Sequence, residues 1–199
     1  MKFFIVGLHS SGKQEVMDIL EKHGINCGHL FSNIDTPKSE IYNSYNYELY
    51  STMDINEIFE NNAYIFINEL DSEFNVNSYK YYEGLTKYEV DNNDVFCISP
   101  DQLAQIPHNA IRDDVCFIWM DNNKEDRLSR YKREKRSYSF SARENIERKN
   151  INNFVKTLYS FNNSKVIYFV GEEPCRVATI IYSLIKHPDL LDIYTEYYN

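Results

Sequence analysis

The sequence predicts an α/β fold in which a mostly parallel sheet is flanked by helices. Three observations predict it. Short, continuous apolar runs (Phe3-Phe4-Ile5-Val6, Val95-Phe96-Cys97-Ile98, Cys116-Phe117-Ile118-Trp119-Met120 and residues 166–170) read as strands buried on both faces. Segments of helical periodicity alternate with them. A glycine- and serine-containing loop, Gly7 to Gly12, joins the first run directly to the first helix.

After that loop, Val16, Ile19, Leu20 and His23 recur at helical spacing, and Gly24 stands where a C-terminal glycine cap belongs. Residues 26–50 lack helical periodicity and are rich in Asn, Ser and Tyr, so they read as loop or short antiparallel strands. Asp54 with Glu57 predicts a capping box for a short helix through Phe59. Residues 64–67 form another apolar run, and 71–82 read as irregular. Residues 123–139 are a strongly basic, helix-like stretch. Ser141 with Glu144 predicts a second capping box, and Ile146, Ile151, Phe154, Val155 and Leu158 give the helix that follows an apolar face. Pro174 suits the first position of a last helix whose core face is Val177, Ile180, Ile181 and Leu184. The tail after Pro188 reads as loosely attached.

With 199 residues the chain is long enough for one domain with a substantial core. It carries 21 basic against 30 acidic residues, a net charge of −9. That balance argues against binding extended nucleic acid as the main role, while leaving room for a local basic site. No apolar run approaches the roughly 20 residues of a membrane span, and residues 1–7 carry no signal-peptide pattern. Cys27, Cys97, Cys116 and Cys175 are scattered with no CxxC, as expected of reduced thiols in a cytoplasmic protein.

Gly7-Leu8-His9-Ser10-Ser11-Gly12-Lys13 matches G-x-x-x-x-G-K between a predicted strand and a predicted helix. Glycines let the backbone curl so that successive N–H groups face a phosphate. The helix N-terminus adds partial positive charge, and Lys13 a full one. Gly7, Ser10, Ser11, Gly12, Lys13 and Gln14 are therefore the candidate ATP-binding residues. Gln14 replaces the Ser or Thr that normally ligates Mg²⁺ and offers only a longer amide oxygen. Glu15 places negative charge beside the site.

Arg127, Arg130, Lys132, Arg133, Lys135 and Arg136 crowd one segment, followed by Arg143 and Arg148. In an acidic chain this is either a solvated helix face or a lid that neutralises transferring phosphates.

On these features the chain resembles the guanylate kinase family of P-loop nucleoside monophosphate kinases. The similarity runs through most of the length: the phosphate loop after the first strand, then Asp126-Arg127-Leu128-Ser129-Arg130, Arg133, Arg136, and Ser141-Ala142-Arg143-Glu144-Asn145-Ile146-Glu147-Arg148. The resemblance implies a P-loop NTPase fold over 1–199. Its core would be 1–31, 91–125 and 149–188, its monophosphate-binding insert 32–90 and its arginine-rich lid 126–148. It implies ATP and Mg²⁺ as cofactors, Lys13 as a catalytic residue, and Arg133 or Arg136 together with Arg148 on the phosphates. Ser32, Pro37 and Lys38 are similar to a family acceptor segment, Asn46-Tyr47-Glu48-Leu49 to another, and Tyr82-Glu83-Gly84-Leu85-Thr86 to a third. These imply Ser32, Lys38, Tyr47, Tyr82 and Thr86 at the acceptor.

Two departures stand out. The family's guanine-reading Glu aligns near Phe66, with Glu69 close by. A second family acid aligns with Ser99, with Asp101 two residues on. The altered base site points to an unusual or modified acceptor, of the kind a phage would need. The expected activity is phosphoryl transfer from ATP to a nucleoside or deoxynucleoside monophosphate by a cytoplasmic monomer or homodimer, with no extended nucleic acid and no membrane as partner. The rival expectation, favoured by Gln14, Glu15, Phe66 and Ser99, is a catalytically inactive module of the same fold that holds a nucleotide or protein partner. The five histidines show no metal-ligand spacing, so no metal other than Mg²⁺ is expected. The tyrosines from 42 to 88 are either base-stacking or partner-binding groups, or replacements for Phe.

Overall fold

A computed structural model describes residues 1–32, 47–49, 51–69, 82–111, 114–133, 140–142, 144–145, 147–149, 151, 161 and 164–198. Its main sheet has five strands in the order β2-β7-β1-β8-β9, all parallel. They are β1 (Lys2–Gly7), β2 (Cys27–Gly28), β7 (Val95–Ile98), β8 (Val115–Asp121) and β9 (Lys165–Val170). β1 is central and buried along its whole length, with Phe3 opposite Val95 on one side and Cys116 on the other. Alternate side chains enter two cores. Phe3 and Ile5 pack with α1 (Lys13–Lys22) and α7 (Pro174–Lys186), while Phe4 and Val6 pack with Leu103, Ile106 and Phe161 on the opposite face. This is why β1, β7 and β8 read as unbroken apolar runs: neither face meets water, whereas the edge strand β9 leaves Lys165 and Val170 exposed. On the second face Phe4 stacks on Phe96 at 5.0 Å, and Phe117 meets Phe161 edge-on at 5.4 Å.

A second sheet runs β4-β3-β6-β5. Its strands are β3 (Leu30–Ser32), β4 (Tyr47–Leu49), β5 (Tyr64–Glu69) and β6 (Tyr82–Thr86). β6 is antiparallel to β3 and β5, but β3 and β4 are parallel, which corrects the antiparallel expectation for residues 26–50. Within the same stretch, β2 joins the main sheet in parallel with β7. At Gly84 the strands approach so closely that a Cβ would lie 2.5 Å from both the Phe66 carbonyl oxygen and the Phe31 ring. The carbonyl belongs to the ladder and has nowhere to go. Gly84→Ala is therefore expected to cost about 1–3 kcal/mol, read as a lower urea midpoint with an unchanged m-value.

The remaining helices are α2 (Thr52–Glu60), α3 (Lys87–Asn92), α4 (Pro100–Leu103), α5 (Lys124–Arg133), the helical residues between 140 and 151, labelled α6, and α8 (Leu191–Tyr198). Gly24 takes φ +77° just past α1, and the N–H groups of Gly24 and Ile25 close back on the Glu21 and Leu20 carbonyls, as its placement predicts. Three local expectations are corrected. The cap of α2 is Ser51, with Asp54 as the reciprocal third residue of the box, so the Asp54–Glu57 box is one turn late. Ser141 is already helical, and Glu144 bonds to arginines instead of to a cap. The tail after Pro188 is docked: a 3-10 turn leads into α8, Leu191 is buried in the first core, and Leu190 and Tyr194 pack beside it. The spacing of 190, 191 and 194 presents one helical face, which a short tail hides among polar neighbours. Burial pushes the Cys27 and Cys116 thiols up to about 12, so both are inert at neutral pH.

Candidate functional site

The site begins where β1 ends. A Cβ at Gly7 would lie 2.5 Å from the Met120 carbonyl oxygen on β8, so only glycine lets the chain turn there. The loop then curls through Ser10 at φ +56° and Gly12 at φ +94°, and the Gly12 carbonyl accepts the first helical bond, from Val16, of α1. Left-handed residues spaced in this way make the backbone concave, the shape that the motif predicts. Lys13 spans the concavity: Nζ donates to the carbonyls of Gly7 at 2.6 Å and Leu8 at 2.9 Å, and lies 3.5 Å from Ser11 Oγ.

The loop is gripped from outside. The Ser11 carbonyl accepts from Asn122 Nδ2 at 2.7 Å and from Arg130 Nη1 at 2.9 Å. A Cβ at Gly12 would meet Arg130 Nη1 at 2.8 Å and Pro174 Cγ at 2.9 Å, so the guanidinium and the proline ring flank the start of α1. Two buried oxygens of the loop and the first turn of α1 have no hydrogen-bond partner among the described residues: Ser10 Oγ and Gln14 Oε1. Ser99 follows β7 directly, alongside the end of β1, since Ile98 pairs with Val6. Buried polar atoms are rarely left unsatisfied, and a polar ligand or a water at the mouth of the concavity would satisfy both oxygens. Gln14 Nε2 donates to Asp18 at 2.7 Å, which leaves the amide oxygen as the available end. Glu15 is exposed on α1.

These groups fit a nucleotide-borne Mg²⁺ and not a protein cage. Among the described residues no cluster of three His, Cys, Asp or Glu can hold a metal. Mg²⁺ commonly sits on phosphates and water with one or two protein oxygens, one of which Gln14 Oε1 could supply.

Arg127 and Glu144 form the polar centre beneath the loop. Arg127 is 1% exposed; its Nη2 donates to Glu144 at 2.7 Å, its Nε to the Asn122 carbonyl at 3.2 Å, and its charge lies 5.5 Å from the Phe140 ring centre. Arg148 Nε also donates to Glu144, at 3.0 Å, and Lys124 lies 3.4 Å from its other oxygen. Burial pushes the Glu144 carboxyl up, but hydrogen bonds from Arg127 and Arg148 and the charges of Arg127 and Lys124 outweigh it and hold the group down at about 2. Because the folded value lies below the ordinary 4.5, the stabilisation is complete above pH 4.5 and is lost as pH falls toward 2. Glu144 alone is expected to withdraw up to about 3 kcal/mol over that window. Urea midpoints at several acid pH values check this, and Glu144→Gln should flatten the dependence.

The sequence candidates divide into groups. Gly7, Ser10, Ser11, Gly12, Lys13 and Gln14 lie together in the loop and the first turn of α1. Arg133 is exposed at the end of α5, and Arg148 is exposed and turned to Glu144. Arg136 and Lys38 lie outside the described residues, and Tyr47 opens β4. Ser32, buried on β3, is paired across the strands with Glu83, beside Tyr82, whose ring meets Phe59 edge-on at 5.4 Å. Thr86 is at the other end of β6, roughly 13 Å along the strand. There its Oγ1 accepts from the Glu89 N–H to cap α3, beside a cavity of about 430 Å³ between α2 and α3. Phe66 is in the second core, and Glu69 is exposed at the end of β5. Sequence reasoning missed Asn122, Glu83 and the bonds of Arg127 and Arg130. The signal for Asn122 was its place just after an apolar strand. Glu83 lies opposite Ser32 and Asn68, a register that sequence does not disclose.

No protein-family model and no curated protein matches the sequence. Among solved structures, the chain is similar to the crystal structure of guanylate kinase from Anaplasma phagocytophilum, with a TM-score of 0.51 and 13% identity over 94% of this chain and 85% of that one. At that identity the likeness is one of fold, and it agrees with the loop, the strand order and the flanking helices: the chain has the guanylate kinase-like P-loop fold.

Proposed function

We propose that the protein transfers a phosphoryl group from ATP to a nucleoside or deoxynucleoside monophosphate. The observation that carries this reading is the loop itself. Lys13 lies across a left-handed concavity, with the partnerless Ser10 and Gln14 oxygens beside it. Bound Mg²⁺ would supply charge neutralisation between the phosphates. The loop amides and Lys13 bind and orient the donor phosphates. Arg130, already fixed against Ser11, adds positive charge at the rim. Arg133, Arg136 and Arg148 close over the transferring group, and Ser32, Lys38, Tyr47 and Tyr82 take the acceptor. Thr86, used as a helix cap, acts on the acceptor only if α3 shifts. No general base is required, because the acceptor phosphate is already a nucleophile. With Phe66 in the core and Glu83, opposite Ser32, already accepting from Asn68 Nδ2 at 3.4 Å, the base site departs from the family pattern, which favours an acceptor other than an ordinary GMP.

The test is ATP binding by calorimetry with and without Mg²⁺, followed by ADP release over a panel of monophosphates, modified bases included. Mg²⁺-dependent binding with turnover on one acceptor establishes the kinase. Binding without turnover on any acceptor favours the rival, an inactive nucleotide-holding module, which the replacements at Gln14, Phe66 and Ser99 support. No binding at millimolar ATP overturns the nucleotide reading.

A further inference from the structure

Glu147 is 1% exposed on α6, and a single one of its oxygens receives two hydrogen bonds from the phosphate loop. The His9 main-chain N–H donates to it at 2.8 Å, and His9 Nδ1 lies 2.9 Å from it. His9 is itself buried, with its ring packed edge-on at 4.5 Å against Phe140, also on α6. It directly precedes Ser10, the non-glycine residue that the loop holds at positive φ. Ser or any other side chain adopts that conformation only when its surroundings enforce it. One turn earlier on the same helix, Glu144 holds Arg127, whose Nε bonds the Asn122 carbonyl while Asn122 Nδ2 holds the Ser11 carbonyl. Residues three apart share a helix face. The two carboxylates therefore grip the loop on either side of Ser10, one through His9 and one through Arg127 and Asn122.

We infer that Glu147 is a positioning residue of the phosphate loop. Acting through His9, it fixes the loop's curvature and fastens it to the arginine-bearing helix. This rests on the reading of the loop as a phosphate site. A carboxylate accepts several hydrogen bonds at once, and charge-assisted ones are strong, so a single buried oxygen can hold both His9 donors.

The test compares Glu147→Ala and Glu147→Gln with the native chain, by hydrogen exchange of the amides of residues 8–12 and by calorimetry with ATP. In Glu147→Ala the loop amides should exchange roughly tenfold faster relative to those of β8 and β9, and ATP should bind about tenfold more weakly. Glu147→Gln keeps an oxygen acceptor and should recover most of both. His9→Asn and His9→Gln supply a second pair, which decides on the same readouts should Glu147→Ala not fold. The Asn amide N–H can stand where Nδ1 stands, whereas that of Gln cannot, so Asn should behave as native and Gln as Glu147→Ala. Unchanged loop exchange, or equal acceleration in loop and sheet, overturns the inference. A selectively loosened loop with undiminished ATP affinity overturns its link to binding. A selectively loosened loop in a chain that binds no ATP supports the positioning role and removes the phosphate reading instead.

Discussion

Lys13→Ala is expected to lower ATP-dependent turnover by a factor on the order of 10²–10³, a loss of roughly 3–4 kcal/mol of transition-state stabilisation. The side chain is the cation nearest the concavity by its own bonds, to Gly7, Leu8 and Ser11. Removing it takes away the full positive charge within the loop, and Arg130 cannot replace it while its Nη1 is bonded to Ser11. The fold should survive, because Lys13 lies at the solvent side of α1 and not among the core residues. The measurement is kcat for ADP release in the substituted and native chains, with thermal midpoints alongside. Turnover that persists at the native rate would sink the phosphoryl-transfer reading. A chain inactive before and after the change, yet with unaltered partner binding, would identify the module.

Arg127→Ala is expected to produce the largest loss of stability. The change strips Glu144 of its buried partner, leaves the Asn122 carbonyl without the Nε donor, and opens a hole under Phe140. Breaking a buried ion pair from one side costs about 3–5 kcal/mol, against a total stability of about 5–15 kcal/mol. For a chain of this length the thermal midpoint should fall by roughly 10 °C. Arg127→Met combined with Glu144→Leu should lose less than Arg127→Ala alone, because it also removes the Glu144 charge, which otherwise keeps only the exposed Arg148 and Lys124 as partners. A loss below about 1 kcal/mol for Arg127→Ala would mean that the pair is solvated and that the buried geometry is wrong.

The main sheet was legible because its strands are apolar on both faces, so β1, β7, β8 and β9 needed no alternation to be seen. The second sheet was not. β3 and β4 have three residues each, and β6 carries Glu83 and Gly84 in its middle, against the usual composition of strands. The phosphate loop was legible because its geometry is local: two glycines and a lysine within seven residues. The charges around it were not, since a basic segment looks alike whether it faces water or a buried acid. Arg127 finds Glu144 17 residues away, Arg130 finds Ser11 at a separation of 119, and Glu147 finds His9 at 138. Arg148, a candidate for phosphate contact, bonds the acid that Arg127 also uses. Such roles come from tertiary partners and leave no mark in spacing.

The central position of β1 has a consequence for synthesis. The strand is flanked on both sides by strands made much later: Phe3 is paired with Val95 and Cys116. At about 5–20 residues per second, β1 waits roughly 6–20 s on the ribosome before its second neighbour exists. Until then Phe3, Phe4, Ile5 and Val6 have no sheet to enter, and the loop that follows them has neither the Met120 carbonyl to turn against nor Asn122 to hold it. An apolar strand thus waits without partners during synthesis, and the phosphate loop acquires its shape only when residues 115–122 have emerged.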